Sequence, residues 1–256
     1  MTRVIVSGCS GRMGQTVIAI CEKKKDIELV AGFDSVENKR GVFPVYSNLK
    51  DFTGEADVII DFSSPSALGC LLEFSLERRI PCVFCTTGYS GEQLMRISHL
   101  SESLPAFRSG NMSLGINLLT ALVKKAASVL GDDYDVEIIE KHHGAKIDAP
   151  SGTAIMLAES AASGLPHESN YVFDRHSVRQ KRGHNELGIS SVRGGTIVGE
   201  HEVIFAGRDE VIELKHTAYS RSIFANGAVA AAVFLSTVKE PGMYDMSSVL
   251  ADVLDK

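Results

Sequence analysis

The 256-residue chain has no tryptophan and only 7% aromatic residues, and its 26 lysines and arginines are outnumbered by 32 aspartates and glutamates, a formal charge of −6. Single strands of nucleic acid are held by stacking on aromatic rings, and duplexes by a basic face that releases counterions. Neither is therefore an expected partner. Long apolar runs are also lacking. The longest, Ala228 to Leu235, spans eight residues, far short of the roughly 20 that cross a bilayer. No basic stretch with a long apolar core precedes Val4-Ile5-Val6, so the chain is expected to have neither a membrane span nor a secretory signal and to be cytoplasmic. Five cysteines, an odd number, point to reduced thiols and not to a disulfide framework. Cys82 and Cys85 form a C-x-x-C, but in a strand residues three apart face opposite ways, and no second pair completes a zinc set. Buried structural thiols are expected there, and no metal is assigned.

What is present is an alternation of short β-branched runs with helical patterns over the first half. Strands are expected at Arg3 to Val6, Glu28 to Phe33, Asp57 to Phe62, Ile80 to Cys85 and Pro105 to Arg108. Helical spacing recurs at Met13, Val17 and Ile20, at Leu68, Leu71, Leu72 and Leu76, and over Gly91 to Ser103. None of these strands alternates cleanly, as befits a sheet covered on both faces. A long apolar helix, Leu114 to Leu130, opens a second pattern, followed by a strand from Asp135 and by segments Gly188 to Arg193, Ile197 to Ala206 and Glu210 to Ala218, which read as consecutive antiparallel strands. In the last, Ile212, Leu214 and Ala218 share one face, which suggests a sheet half exposed or packed on a partner. Leu165 to Asn185 is polar and carries Arg175, His176, Arg179, Lys181 and Arg182; it reads as a long loop. Ala225 to Leu235 reads as a helix returning to the first domain. The expected architecture is α/β: a Rossmann-type doubly wound parallel sheet built from 1–113 with 223–256, plus a second α+β domain, 114–222, with an open mixed or antiparallel sheet.

The first strand runs into Ser7-Gly8-Cys9-Ser10-Gly11-Arg12-Met13-Gly14 and then a helix. A G-x-x-G-x-x-G turn here lets the backbone approach a pyrophosphate without a Cβ in the way, while helix amides receive its charge; Arg12 adds a cation. Asp34 ends the next strand, 20 residues beyond Gly14, the interval at which a carboxylate meets the ribose hydroxyls of a dinucleotide. Ser35 follows it and offers no guanidinium for a 2′-phosphate, although Lys39 and Arg40 lie a few residues on. NADH is accordingly expected to serve at least as well as NADPH. Cys85-Thr86-Thr87-Gly88 and Gly110-Asn111-Met112-Ser113 follow two further strands, where small residues and amides suit a nicotinamide and its ribose.

The richest segment is Glu140-Lys141-His142-His143-Gly144-Ala145-Lys146-Ile147-Asp148-Ala149-Pro150-Ser151-Gly152-Thr153-Ala154. Ser151 is placed to cap a helix whose first amides, at Gly152 and Thr153, form an anion site. Lys146 is a mobile cation, and a histidine titrates near neutrality. A small substrate with two carboxylates suits this set. A metal site fits less well, because adjacent side chains of an extended strand diverge, though Asp148 is available as a ligand. A capped helix with solvated charges explains Ser151 but not two histidines and a lysine.

The loop with its Gly-Arg-Met-Gly core and the Glu-Lys-His-His-x-x-Lys-x-Asp-x-Pro-Ser-Gly-Thr-Ala segment resemble the dihydrodipicolinate reductase family of lysine biosynthesis. Asp61-Phe62-Ser63, Thr86-Thr87-Gly88, Val198-Gly199-Glu200-His201 and Phe224-Ala225-Asn226-Gly227-Ala228 extend the resemblance over nearly the whole chain. It implies reduction of 4-hydroxy-tetrahydrodipicolinate to tetrahydrodipicolinate by NADH or NADPH, with loss of water. His142 would be the acid/base residue and Lys146 the proton donor, with His143, Gly152 and Thr153 holding substrate carboxylates. Gly8, Cys9, Ser10, Gly11, Arg12, Met13, Asp34, Cys85, Thr86, Thr87, Gly110, Asn111, Met112 and Ser113 would contact the cofactor. A homotetramer is implied, as is closure between the two domains. Cys85 and Ser35 depart from the family pattern, the first where glycine is usual, the second where some members carry a basic residue. Two rivals, another sheet-appended dehydrogenase and a noncatalytic dinucleotide sensor, would share the glycine loop without needing His142, His143 and Lys146.

Overall fold

The computed structural model describes residues 1–35 and 43–254, so Lys39 and Arg40 lie outside the described residues. The chain divides into two compact units, Met1–Leu114 together with the segment from Ser222 onward, and Gly115–Arg221.

Unit 1 begins with β1 (Thr2–Ser7), α1 (Arg12–Cys21), β2 (Ile27–Phe33) and the two-residue β3 (Val45–Tyr46). It continues through β4 (Val58–Asp61), α2 (Leu68–Arg78), β5 (Cys82–Phe84), α3 (Gly91–Ser101) and β6 (Pro105–Phe107). The seven strands are all parallel in the order β12-β6-β5-β4-β1-β2-β3, where β12 is Gly242–Tyr244. Apart from β12 this is the doubly wound order of dinucleotide-binding folds. Both faces are covered, which is why the strands carry apolar residues continuously: Val4, Val6, Val58, Ile60 and Val83 face one core, Ile5, Ile59, Cys82 and Phe84 the other. Cys82 and Cys85 meet opposite cores, as their spacing requires. The tail helix α6 (Ser222–Thr237) belongs to unit 1 and packs on α1. Its buried face is nearly all small, with Ala225, Gly227, Ala228, Ala231 and Ala232 beside Val229 and Leu235, so it lies close to the sheet. The sequence reading lacked β3, β12 and the final helix α7 (Met246–Leu254). The two strands are too short to show a period.

Unit 2 holds α4 (Leu114–Leu130), β7 (Asp135–His142), α5 (Gly152–Gly164), β8 (Asn170–Val172), β9 (Glu186–Arg193), β10 (Gly199–Ala206) and β11 (Val211–Ala218). Its sheet runs β11-β10-β7-β9-β8 and is mixed. The expectation of three consecutive antiparallel strands is corrected here. Only β10 and β11 form such a pair, joined at Gly207, whose N–H donates to the Glu210 carbonyl. β9 instead lies parallel to β7, and β7 lies between β9 and β10. Alternation reports which face of a strand is buried, not which strand it pairs with. The expected loop Leu165 to Asn185 also contains an element, β8, parallel to β9 at the sheet edge.

One face of this sheet is covered by α4 and α5, whose Leu119, Val123, Ala127, Leu157 and Ala161 pack with Val136, Ile138, Leu187, Ile189, Val203 and Phe205. Ile212 and Leu214 join that core from β11. The stretch Leu114–Asp133 has a mean hydropathy of 1.3, but Lys124 and Lys125 interrupt it, and its Leu119, Val123 and Ala127 pack into this core.

Gly227 gives the sharpest test of the packing in unit 1. A Cβ there would sit 1.6 Å from the Met112 carbonyl oxygen, whereas one at Gly91, the first residue of α3, meets nothing within 4 Å. Gly227→Ala is expected to cost at least about 1–3 kcal/mol of stability by overpacking, and Gly91→Ala to be neutral or to gain a few tenths up to about 1 kcal/mol. Urea unfolding of both variants checks the contrast.

Candidate active site

In unit 1 the expected cofactor residues gather at the carboxyl ends of the parallel strands. Gly8 has φ +75°, and a Cβ there would lie 2.5 Å from the Phe62 carbonyl oxygen; one at Gly14 would lie 2.2 Å from the Gly8 carbonyl oxygen. Only glycine fits either position. Gly11 precedes α1, which has no side-chain cap and no acidic residue in its first turn, so its leading amides face outward without a competing carboxylate. Arg12 is exposed in that turn. The Asp34 carboxylate is oriented by the Ser10 N–H, which donates to Oδ2 at 2.8 Å. A cavity of about 690 Å³ lies against these groups, lined among others by Gly8, Gly11, Asp34, Ser35, Ser63 and Cys70. Clear backbone, uncapped amides and a strand-end carboxylate fit a dinucleotide's pyrophosphate and ribose.

Two expected contacts have other engagements. The Cys9 side chain is buried against Gly32, and its N–H donates to the Phe33 carbonyl. Met112 is buried with its carbonyl against Gly227. Asn111 Oδ1 accepts from the Ser113 N–H at 2.8 Å and fixes the turn after β6. Thr86 is held by Asp61, a residue without an assigned role in the sequence reading. Asp61 is buried at the end of β4; its carboxylate accepts from Ser63 Oγ at 2.5 Å, Thr86 Oγ1 at 2.8 Å and Tyr89 OH at 3.1 Å. It thus ties the loops after β4 and β5 together. Thr87 and Gly110 are exposed in their loops, and Cys85 is half-buried with its thiol pushed well up by burial.

In unit 2 the polar cluster is built on the register of the sheet. Val136, Ile138, Glu140 and His142 share the covered face of β7, which therefore changes from apolar to polar toward its carboxyl end. Parallel pairing sets Arg193 of β9 opposite His142, and antiparallel pairing sets His201 of β10 opposite Glu140. The Glu140 side chain is fully buried. Its Oε2 accepts from His142 Nδ1 at 2.5 Å and from Arg193 Nη1 at 2.8 Å, and its Oε1 from Arg193 Nη2 at 2.6 Å and the Ser151 N–H at 3.2 Å. Burial pushes the Glu140 carboxyl up, but the bonds from Arg193, His142 and Ser191 outweigh it and hold it at about 2.

The turn at Gly194 and Gly195 passes over the end of β7, the Gly194 N–H donating to the His142 carbonyl at 3.0 Å and the Gly144 N–H to the Gly195 carbonyl at 3.2 Å. Ser151 caps α5 as expected, its Oγ accepting from the Ala154 N–H at 3.2 Å, and lies 2.9 Å from His201 Nε2. Gly152 and Thr153 form the first turn of α5, which has no acidic residue. Lys146 Nζ donates to both oxygens of the exposed Asp148, at 2.7 and 2.8 Å. His143 is half-buried next to these groups in sequence, and its carbonyl accepts from the Lys146 N–H.

In unit 2, Glu140, Arg193 and His201 are the residues to which sequence reasoning gave no role, as Asp61 is in unit 1. Glu140 carried a signal, a carboxylate two residues before His142 and so on the same strand face. Arg193 and His201 had none, because their place depends on pairing between strands far apart in sequence.

Residues 2–112 and 115–250 match, respectively, the N-terminal and C-terminal regions of the family described as dihydrodipicolinate reductase. The chain is 49% identical over 250 residues to a 4-hydroxy-tetrahydrodipicolinate reductase of Caldanaerobacter subterraneus subsp. tengcongensis, covering 98% of each chain. It is 46% identical to that of Clostridium tetani, covering 98% of this chain and 97% of the relative. A solved dipicolinate-bound dihydrodipicolinate reductase from Paenisporosarcina sp. TG-14 superposes with a TM-score of 0.80 at 28% identity, over 99% of both chains. A probable dehydrogenase from Thermotoga maritima shares the fold at a TM-score of 0.60 and 13% identity, over 96% of this chain and 92% of the other. With both units matched and the identity extending over almost the full length, the chain belongs to the dihydrodipicolinate reductase family.

Proposed function

We propose that this oxidoreductase reduces 4-hydroxy-tetrahydrodipicolinate to tetrahydrodipicolinate in the diaminopimelate route to lysine. The observation that carries the reading, beside family membership, is the histidine held by a buried carboxylate, followed along the chain by a lysine and by a helix start whose first turn has no acidic residue. A nicotinamide cofactor, when bound, supplies the hydride; a proton enters and water leaves.

The protein's own groups manage the charge and the proton. Because Glu140 accepts from Nδ1–H, the neutral His142 ring carries its lone pair on Nε2, which is the atom available for proton exchange. Gly199 keeps that atom clear, since a Cβ there would stand 3.1 Å from it. Lys146 acts as proton donor after exchanging Asp148 for substrate. His143 and the amides of Gly152 and Thr153 receive the carboxylates, and no acidic side chain in the first turn of α5 competes with them. On unit 1, Gly8, Ser10, Gly11, Arg12 and Met13 would cradle the pyrophosphate, with the buried Cys9 only shaping the turn, and Asp34 would meet the adenosine ribose, while the loops 85–87 and 110–113 would hold the nicotinamide end. Asp34 repels a 2′-phosphate and Ser35 beside it brings no guanidinium, which favours NADH at least equally with NADPH. The enzyme acts in the cytoplasm as a homotetramer; exposed Val192, Val198 and Val211 on unit 2 support an assembled state.

With substrate generated by the preceding condensing enzyme, the protein is expected to oxidise NADH at least as efficiently as NADPH. Lys146→Ala and His142→Gln should each lower kcat by about 10²-fold or more with cofactor affinity nearly unchanged. Absence of turnover in the wild type points to the dinucleotide-sensor alternative.

Glu140→Gln keeps the shape of the side chain but no longer favours a proton on Nδ1 of His142. We expect kcat to fall by about 10²-fold and the pH profile of kcat to move, with KM for the dicarboxylate changed little. A merely structural residue would alter the melting temperature and leave that profile in place.

Acid stability follows from His201. Burial pushes it down to about 4, and His142 beside it adds to the shift. The unfolded chain takes up this proton near pH 6.5 while the folded chain refuses it until about 4, so stability is lost as pH falls through that window, by up to about 3 kcal/mol. Glu140 adds a second loss at lower pH, from roughly 4.5 toward 2. His201→Gln should flatten the first decline in melting temperature and leave the second.

A further inference from the structure

A second constellation stands at the opposite end of β7. Asp132, in the helical turn Gly131–Asp133 between α4 and β7, meets His167, just beyond α5, and His184, just before β9. Asp132 Oδ1 lies 3.3 Å from His167 Nε2 and 3.6 Å from His184 Nε2, and one ligand atom from each residue lies within 4.8 Å of the others. The imidazole rings are 5.4 Å apart, tilted by 51°. His142 is separated from this group by the length of the strand, roughly 23 Å at about 3.3 Å per residue, so the cluster has no part in the chemistry above.

The protonation of His167 tells what the arrangement lacks. Its Nδ1 lies 3.2 Å from the Glu168 carbonyl oxygen, which can only accept, so Nδ1 carries the proton. In the neutral ring Nε2 is then a bare acceptor, and it points at a carboxylate oxygen 3.3 Å away. Two facing acceptors repel unless a proton or a metal cation lies between them, and with His184 Nε2 3.6 Å from the same carboxylate oxygen a metal ion would meet three ligand atoms at once. A backbone carbonyl on the remote nitrogen is also the support that metal-ligating histidines ordinarily have. Metal–ligand bonds of about 2.0–2.2 Å at tetrahedral angles put neighbouring ligand atoms about 3.3–3.6 Å apart, which is the separation of Asp132 Oδ1 from each histidine. Two imidazoles and one carboxylate are borderline donors of the set that zinc prefers. Side-chain exposures of 23%, 51% and 65% for His167, Asp132 and His184 leave a fourth position for water.

We propose that Asp132, His167 and His184 bind a divalent transition metal of the zinc class. His167 and His184 are the two ends of the long polar loop, and the metal fastens both to the turn that leads into β7. The loop already carries two ion-paired arginines: Arg175 on Glu137 and Glu186, and Arg182 on Asp135 and Glu137. The metal closes this strap at its base. The assignment does not rest on the reductase reading, and its test measures metal content, so either can fail alone.

The test is equilibrium dialysis of the full chain against zinc chloride with metal analysis, on wild type, His184→Ala, Asp132→Asn and, because Cys70 is exposed, Cys70→Ser. Wild type and Cys70→Ser should retain one equivalent per chain. His184→Ala and Asp132→Asn should bind at least about 10-fold more weakly, with kcat unchanged. Zinc should slow hydrogen exchange over residues 168–183 in the wild type and not in His184→Ala, an exposed position whose replacement spares the core. Failure of the wild type to retain zinc overturns the assignment. Retention undiminished in His184→Ala overturns it too, because the ion then sits elsewhere.

Discussion

The buried carboxylate of Glu140 is the contact on which unit 2 is organised. A charge taken fully out of water costs several kcal/mol unless its lone pairs are met, and here four donors from three segments meet it: Arg193 twice, His142 and the Ser151 amide. Each brings a part of the site with it. Arg193 fixes the end of β9 and, through a 2.6 Å bond from Nη2, the Asp148 carbonyl. Ser151 fixes the start of α5, whose first amides are the proposed anion site. His142 is fixed in tautomer and direction. A chain that buried Glu140 without these donors would not be stable, so the demand of one carboxylate sets the relative places of histidine, helix start and lysine loop.

Unit 1 solves a different problem, with backbone in place of charge. Gly8 and Gly14 exist because carbonyls of neighbouring strands and turns come within 2.2–2.5 Å of where a Cβ would be, and Gly227 lets α6 press on the loop after β6. The result is a row of amides and small side chains at the strand ends, with Asp61 binding two of the loops into one surface. Asp34 shows the same economy of position: its carboxylate accepts from the Ser10 amide of the glycine loop beside it.

What could be read from the amino acids follows from how local each determinant is. The glycine loop, Asp34, the Ser151 cap and the range Leu114–Leu130 all declare themselves within a dozen residues, and the structure has them where the sequence reading does. The place of β9 did not, because burial alternation is the same whichever strand lies alongside. That one error hid the site's support: Arg193 meets Glu140 only because β9 runs parallel to β7, and His201 only because β10 flanks its other edge. Edge strands β3, β8 and β12, of two or three residues, are specified by the neighbours that receive them and carry no period of their own. Asp132, His167 and His184 are likewise joined only by the fold.

The charge balance of the site has a consequence for selectivity. The chain is acidic, with a formal charge of −6, yet it must attract anions at two places. Its two cations near the histidines are already neutralised, but unequally. Arg193 is locked on a fully buried carboxylate and is not available to a ligand without stranding Glu140. Lys146 is held by Asp148, which is largely exposed, and such a pair is worth little in water. The proposed dicarboxylate would therefore displace Asp148 at small cost and recruit Lys146, while Arg193 would keep its structural post. The released Asp148 returns to solvent, where its charge is well tolerated. On the proposed reading, one carboxylate of the ligand would lie on the amides of α5 and the other would take Lys146 from Asp148, so two anionic ends would be needed to pull the lysine away, and an acidic protein would in this way discriminate for a dicarboxylate.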